Sequence, residues 1–135
     1  MRISILAFGA VLAASPATST DFQPLREDPE IANGVLSYAV ADFLRENCSQ
    51  IEERTVRGKV FLLSLVTRAQ SLGFSLDEAT AYVDDPVEQE RVQVQAMAYL
   101  RSQGLPEDPQ ESDWCRVGMA ELDKRTPVPL MVRKR

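Results

Sequence analysis

Cys48 and Cys115 are the only cysteines of the chain, and the segment ahead of them is patterned for export. Met1-Arg2 supplies a positive charge, Ile3 to Ala14 an apolar run, and Ser15-Pro16-Ala17 the small residues of a cleavage site. That is the three-part layout of a secretory signal peptide. Cleavage after Ala17 makes Thr18 the first mature residue; cleavage after Ser19 is the alternative. The apolar run falls short of the ~20 residues that span a bilayer, so a cleaved leader is expected rather than an anchor. The expected destination is the periplasm or the cell exterior. In such an oxidising compartment an even pair of cysteines is read first as a disulfide. A Cys48–Cys115 bridge ties distant parts of the chain, and chain entropy alone would make it worth about 4 kcal/mol at most. Redox-active pairs usually stand closer, as in Cys-x-x-Cys. A nucleophilic cysteine would need a histidine, and the chain has none.

The remaining chain suits a single domain. Its expected divisions are a signal peptide over 1–17, a polar linker over 18–28, a helical domain over 29–124 and an extended tail over 125–135. Asp28-Pro29-Glu30 orders an N-cap, a first-turn proline and a first-turn acid, predicting a helix from Pro29 to about Glu46. Thr55 to Leu72 follows, closed by Gly73. This segment is apolar on more than one face (Val56, Val60, Phe61, Leu62, Leu63, Leu65, Val66, Ala69, Leu72), which predicts the central helix, buried on most sides. A strand through Val60–Thr67 competes, but the alternation is poor. Ser75 and Glu78 form a capping box for a short helix ending near Asp84. Asp85-Pro86 opens a fourth helix, to about Gln103, and a fifth runs from about Ser112 to Lys124. The prolines after Thr126 are expected to keep the tail out of helix. The fold class is therefore all-α, a small bundle of about five helices with one disulfide.

The same residues exclude several chemistries. Without histidine, Ser-His-Asp and Cys-His hydrolysis are out, and the commonest zinc ligand is missing. The scattered glycines form no phosphate loop. All 20 acidic residues follow the signal segment, which holds only Arg2 of the 15 basic ones, so the mature chain is more acidic than the whole chain's net −5. That balance argues against a nucleic-acid partner. Carboxylates cluster at Asp84, Asp85, Glu88 and Glu90, and again at Glu107, Asp108, Glu111 and Asp113. A glycosidase needs two held about 5–10 Å apart, whereas helix capping and solvated faces already account for most of these. The second cluster departs from the calcium loop pattern Asp-x-Asp-x-Asp-Gly. Asn47-Cys48-Ser49 matches a glycosylation sequon by chance. Trp114 is expected to pack over the bridge. Neither a cofactor nor a metal site is expected. The tail sets Val128, Leu130, Met131 and Val132 beside Arg133, Lys134 and Arg135. It reads either as a docking segment for a partner or an anionic surface, or as a frayed terminus.

The run Gly104-Leu-Pro-Glu-Asp-Pro109 followed by Trp114-Cys-Arg-Val-Gly118 resembles a signature of small exported alphaproteobacterial proteins. That family is an uncharacterised domain. The resemblance implies a periplasmic protein and transfers no functional residues. The function expected is non-enzymatic: an interaction or accessory protein that docks on a larger envelope complex through an apolar surface or its tail. A holdase-like stress chaperone is the alternative, favoured by the many carboxylates. It is disfavoured by a lysine set of only Lys59, Lys124 and Lys134. A carboxylate-based hydrolase comes third. No span is expected in the mature chain, and the sequence does not specify an oligomeric state.

Overall fold

Asp-Pro pairs start two helices as the sequence predicts. Asp28 Oδ1 accepts from the Ile31 amide at 3.0 Å, and Asp85 Oδ1 accepts from the Val87 and Glu88 amides at 2.8 and 3.1 Å. The computed structural model describes residues 20–135; the expected cleavage site at Ala17–Thr18 lies outside the described residues. In chain order the elements are α1 (Gln23–Glu27), α2 (Pro29–Asn47), β1 (Ile51–Glu53), α3 (Thr55–Ser71) and α4 (Leu76–Asp84). Then come α5 (Pro86–Ser102), α6 (Glu111–Leu122), α7 (Val128–Met131) and β2 (Val132–Lys134). The protein is an all-α bundle with one small antiparallel ribbon, in which Ile51, Glu52 and Glu53 face Lys134, Arg133 and Val132.

Both segments expected to lack regular structure are folded. The linker contains α1, five residues long with a proline in its first turn. A helix this short holds only by packing, and Leu25, 1% exposed, supplies it. The tail is neither extended throughout nor frayed. Pro129 lies in the first turn of α7, where a proline's missing N–H removes no helical bond. The next residues form β2 and close on β1.

The central helix is α2, not α3. It touches α1, α3, α5, α6, α7 and β1 and buries Ile31, Gly34, Ser37, Val40, Ala41 and Leu44. Only Gly58 and Ala69 of α3 are buried, and Val56, Val60 and Leu63 are 76%, 63% and 64% exposed. The reason is geometric. α2, α4 and α7 cover one side of α3, and among the described residues nothing covers its other apolar face.

Small residues let α2 be approached closely. A Cβ at Gly34 would stand 2.5 Å from a Leu65 methyl, and one at Gly118 in α6 would stand 2.5 Å from Ile51 Cδ1 and 3.2 Å from Leu44 Cδ2. The larger core gathers Val40, Leu44, Ile51, Leu100, Val117, Val128, Met131 and Val132. A second, smaller one gathers Leu25, Ile31, Ala69, Ala79 and Tyr82.

The bridge is formed. Cys48, at the C-cap of α2, is bonded to Cys115 in α6 with their Cα atoms 5.1 Å apart. Trp114 beside it is 7% exposed and stacks on Phe43 with ring centroids 6.3 Å apart. Half the loop-closure entropy of such a bond is about 2 kcal/mol, enough to move the melting temperature of a domain this size by about 5–10 °C. Reduction is expected to lower the thermal midpoint by that amount, measured by circular dichroism with and without reductant. An unchanged midpoint would contradict a structural role.

Candidate functional site

An apolar cleft follows from α3 and α4 being joined by a short turn at Gly73, whose φ of +95° suits glycine. The two helices lean on α2 without closing over it. Between them lies a cleft of about 280 Å³ lined by Ile31, Val35 and Tyr38 of α2, Leu62, Leu65 and Val66 of α3, and Ala79, Tyr82 and Val83 of α4. A second cleft of about 390 Å³ lies between α2, α4 and α5 and includes Phe43, Glu88, Gln89 and Val92. The two share Val35, Tyr38, Tyr82 and Val83, so they adjoin along α2. Tyr38 and Val83 on the rim are 45% and 58% exposed.

Ion pairs hold this groove open at fixed width. Arg26 of α1 donates through Nε to Glu88 Oε1 at 2.7 Å, and Arg91 donates to Glu88 Oε2 at 3.0 Å and to the Tyr82 hydroxyl at 3.2 Å. Phe22 packs edge-on against Tyr82 at 5.3 Å. On the opposite side Arg68 of α3 donates to Asp28 Oδ2 through Nε and Nη2 at 3.0 and 2.6 Å. Asp28 therefore caps α2 and clasps α3 at once. The Arg26 hydrogen bond holds the Glu88 carboxyl below the ordinary glutamate range, and the Arg68 hydrogen bond does the same for Asp28. Burial pushes the Tyr82 hydroxyl up.

The residues singled out in the sequence are distributed unevenly around this groove. The acidic groups of 84–90 divide: Asp85 caps α5, and Glu88 is buried at 4% exposure against two arginines. Of the second cluster, Asp113 accepts from the Gln110 amide at 3.0 Å. Glu111 accepts from the Ser49 hydroxyl and, at 3.0 Å, from its amide, which together lower its pKa. Among the described residues no group of three or more acidic or cysteine side chains is placed to hold a metal ion. The buried Glu121, missed in the sequence, accepts from the Tyr99 hydroxyl at 2.9 Å and pairs with Lys124.

The docking tail dissolves as a unit. Val128, Met131 and Val132 are core residues at 2–4% exposure, while Leu130, Arg133, Lys134 and Arg135 remain outside. Among the described residues no helix is long and apolar enough to cross a membrane. The groove itself was missed because its lining comes from four helices whose apolar residues all read as core. Its only sequence signal is a surplus of apolar faces on α3 and α4 over what one small core can cover.

A family model, that of a family of unknown function (DUF5333), matches residues 23–133, in keeping with the uncharacterised domain that the C-terminal signature resembles. No curated protein and no solved structure matches the chain.

Because Asp28, Glu88 and Glu111 have lowered pKa values in the fold, the stability they contribute is whole above the unfolded carboxylate range, about pH 5. It is lost as pH falls through about 4 and below. The urea midpoint is expected to drop over that window, and Glu88→Gln to flatten the drop while costing roughly 1–2 kcal/mol at pH 7. That figure is discounted because both arginine partners are about a third exposed. A wild-type midpoint constant from pH 6 to 3 would contradict the assignment.

Proposed function

We propose that this chain, which belongs to the DUF5333 family, is a non-enzymatic interaction protein. It would be exported by its N-terminal signal and dock on a larger envelope complex through the groove along α2. The supporting observation is that the groove is apolar, preformed and open, with Tyr38 and Val83 on its rim, whereas the apolar tail residues are committed to the core. Exposed apolar surface of this kind marks interaction sites in monomeric proteins. A slot between helices takes an amphipathic helix through residues spaced i, i+3, i+4 and i+7. Of the clustered carboxylates, Asp85, Glu88, Glu111 and Asp113 are engaged by arginine, serine or backbone partners.

A second reading, an acid-stress holdase, draws on the Asp28 and Glu88 clasps. Protonating them would loosen α1 from α5 and α3 from α2 and uncover Leu25, Ile31 and Tyr82. That reading stands only if the acid transition occurs.

The docking reading is tested by placing a photo-crosslinking side chain at Val83, in the groove rim, and at Glu107, outside it, in cells of the native host. One discrete crosslinked species is expected from position 83 and none from 107. Tyr38→Ser and Val83→Asp should abolish a crosslink made from position 62 without lowering the melting temperature, since both positions are exposed. No species from 83, or the same species from both positions, would refute it.

A further inference from the structure

The acidic chain carries its positive charge unevenly. Arg54, Arg57 and Lys59 occupy the approach to α3 and its first turns, and Arg133, Lys134 and Arg135 end the chain. The fold joins these groups: β2 pairs with β1, the Arg54 amide donates to the Met131 carbonyl at 2.7 Å, and the Arg135 amide donates to the Gln50 carbonyl at 2.8 Å. Of the chain's 20 acids, the segment from β1 to the end of α3 contains only Glu52 and Glu53. Glu52 pairs with Arg133 at 2.8 Å and Arg135 at 3.7 Å. At the edge, Asp42 is taken by Arg45 at 2.6 Å. Arg57, Lys59 and Lys134 form no ion pair with any described residue.

α3 itself also carries the apolar residues that found no neighbour. Val56, Val60 and Leu63 follow one another at i, i+4 and i+7, which aligns them on one side of α3. They point to solvent at 63–76% exposure. At 100° per residue Arg57 and Lys59 fall on opposite flanks of this stripe. The three apolar residues line neither of the two clefts described above, whereas Lys59 lines a third, of about 360 Å³, with Tyr38 and Leu62.

We propose that the exposed face of α3 rests on an anionic lipid surface, with Val56, Val60 and Leu63 entering the headgroup region and Arg57 and Lys59 meeting lipid phosphates. Charge complementarity selects the partner. Exposed aliphatic side chains bordered on both sides by lysine and arginine suit an interface in which long basic side chains snorkel to the phosphates. Protein interfaces, by contrast, are depleted in lysine and favour interlocking concave and convex surfaces. Val56, Val60 and Leu63 lie outside the groove lining, so a protein held on the membrane through them keeps the groove available for its partner.

The test is co-sedimentation of the disulfide-bonded protein with vesicles of phosphatidylglycerol mixed with phosphatidylcholine, against vesicles of phosphatidylcholine alone. Binding to the mixed vesicles at low salt is expected, with loss at high salt, where screening shortens the reach of charge to a few ångströms. Lys59→Gln and Arg57→Gln should each weaken it roughly fivefold. Val60→Ser/Leu63→Ser should weaken it at unchanged melting temperature. These variants share one N-terminus, so leader residues do not enter the comparison. Val83→Asp should bind like wild type, which separates this face from the groove. Failure to bind, equal binding to neutral vesicles, or variants indistinguishable from wild type would overturn the proposal. So would binding of a soluble acidic leucine–glutamate helix at Lys59 when vesicles do not bind, because the face would then be a protein interface.

Discussion

Leu44 has no exposed surface, and most of the molecule is arranged around the position it holds. It lies one turn before Cys48, faces α6 across Gly118 and sits beside Ile51 of β1. Burying a leucine in full contributes about 1.5–3 kcal/mol, and replacing one with alanine in a tight core usually costs 2–5 kcal/mol. Around this point the disulfide fixes α6 to the end of α2, and the ribbon fixes the C-terminus to the segment that follows. Three constraints distant in sequence therefore meet within one layer of side chains.

The opposite end of α2 is held by charge rather than by covalent bonds. Asp28 and Glu88, both nearly buried, each take an arginine from a different helix. Their contribution is modest because the arginine ends are partly exposed and screened. Yet they determine where α1 and α3 lie, and hence the width of the groove. The two ends of the bundle therefore differ in kind: one is covalently closed, the other clasped by titratable groups and lined by an open apolar slot.

Much of this was legible in the sequence, because capping is local chemistry. Asp28, Ser75 and Asp85 start helices where their side chains can accept backbone N–H bonds, and no tertiary context overrides that. The cysteine pairing was legible because only one pairing exists within the chain. Centrality was not legible. The segment Val56–Leu72 has more valine and leucine than α2, but α2 has Gly34, Ser37 and Ala41 where other helices come close, and close approach depends on small residues rather than on aliphatic bulk. The tail misled for a related reason. Its prolines forbid a helix interior, but α7 is four residues long and has no interior. The charge asymmetry of α3 was readable as the lack of any acid between Arg54 and Ser71. Its meaning needed the ribbon that brings Arg133–Arg135 alongside.

A helix held on one face and a helix held by six other elements differ in how they open. Amides in α2 around Val40–Leu44 belong to the cooperative core and should exchange only when the whole domain unfolds, whereas α3 can detach by breaking one face and the Asp28–Arg68 clasp. Native-state hydrogen exchange resolved by residue tests this division directly. The expected result is slowest exchange in α2, in the facing turns of α5 and α6 and in the ribbon amides of Val132–Lys134, with α3 exchanging ahead of them through a local opening. Protection of α3 equal to that of α2, together with rapid exchange at Val132–Lys134, would contradict a core built on α2 and closed by the tail.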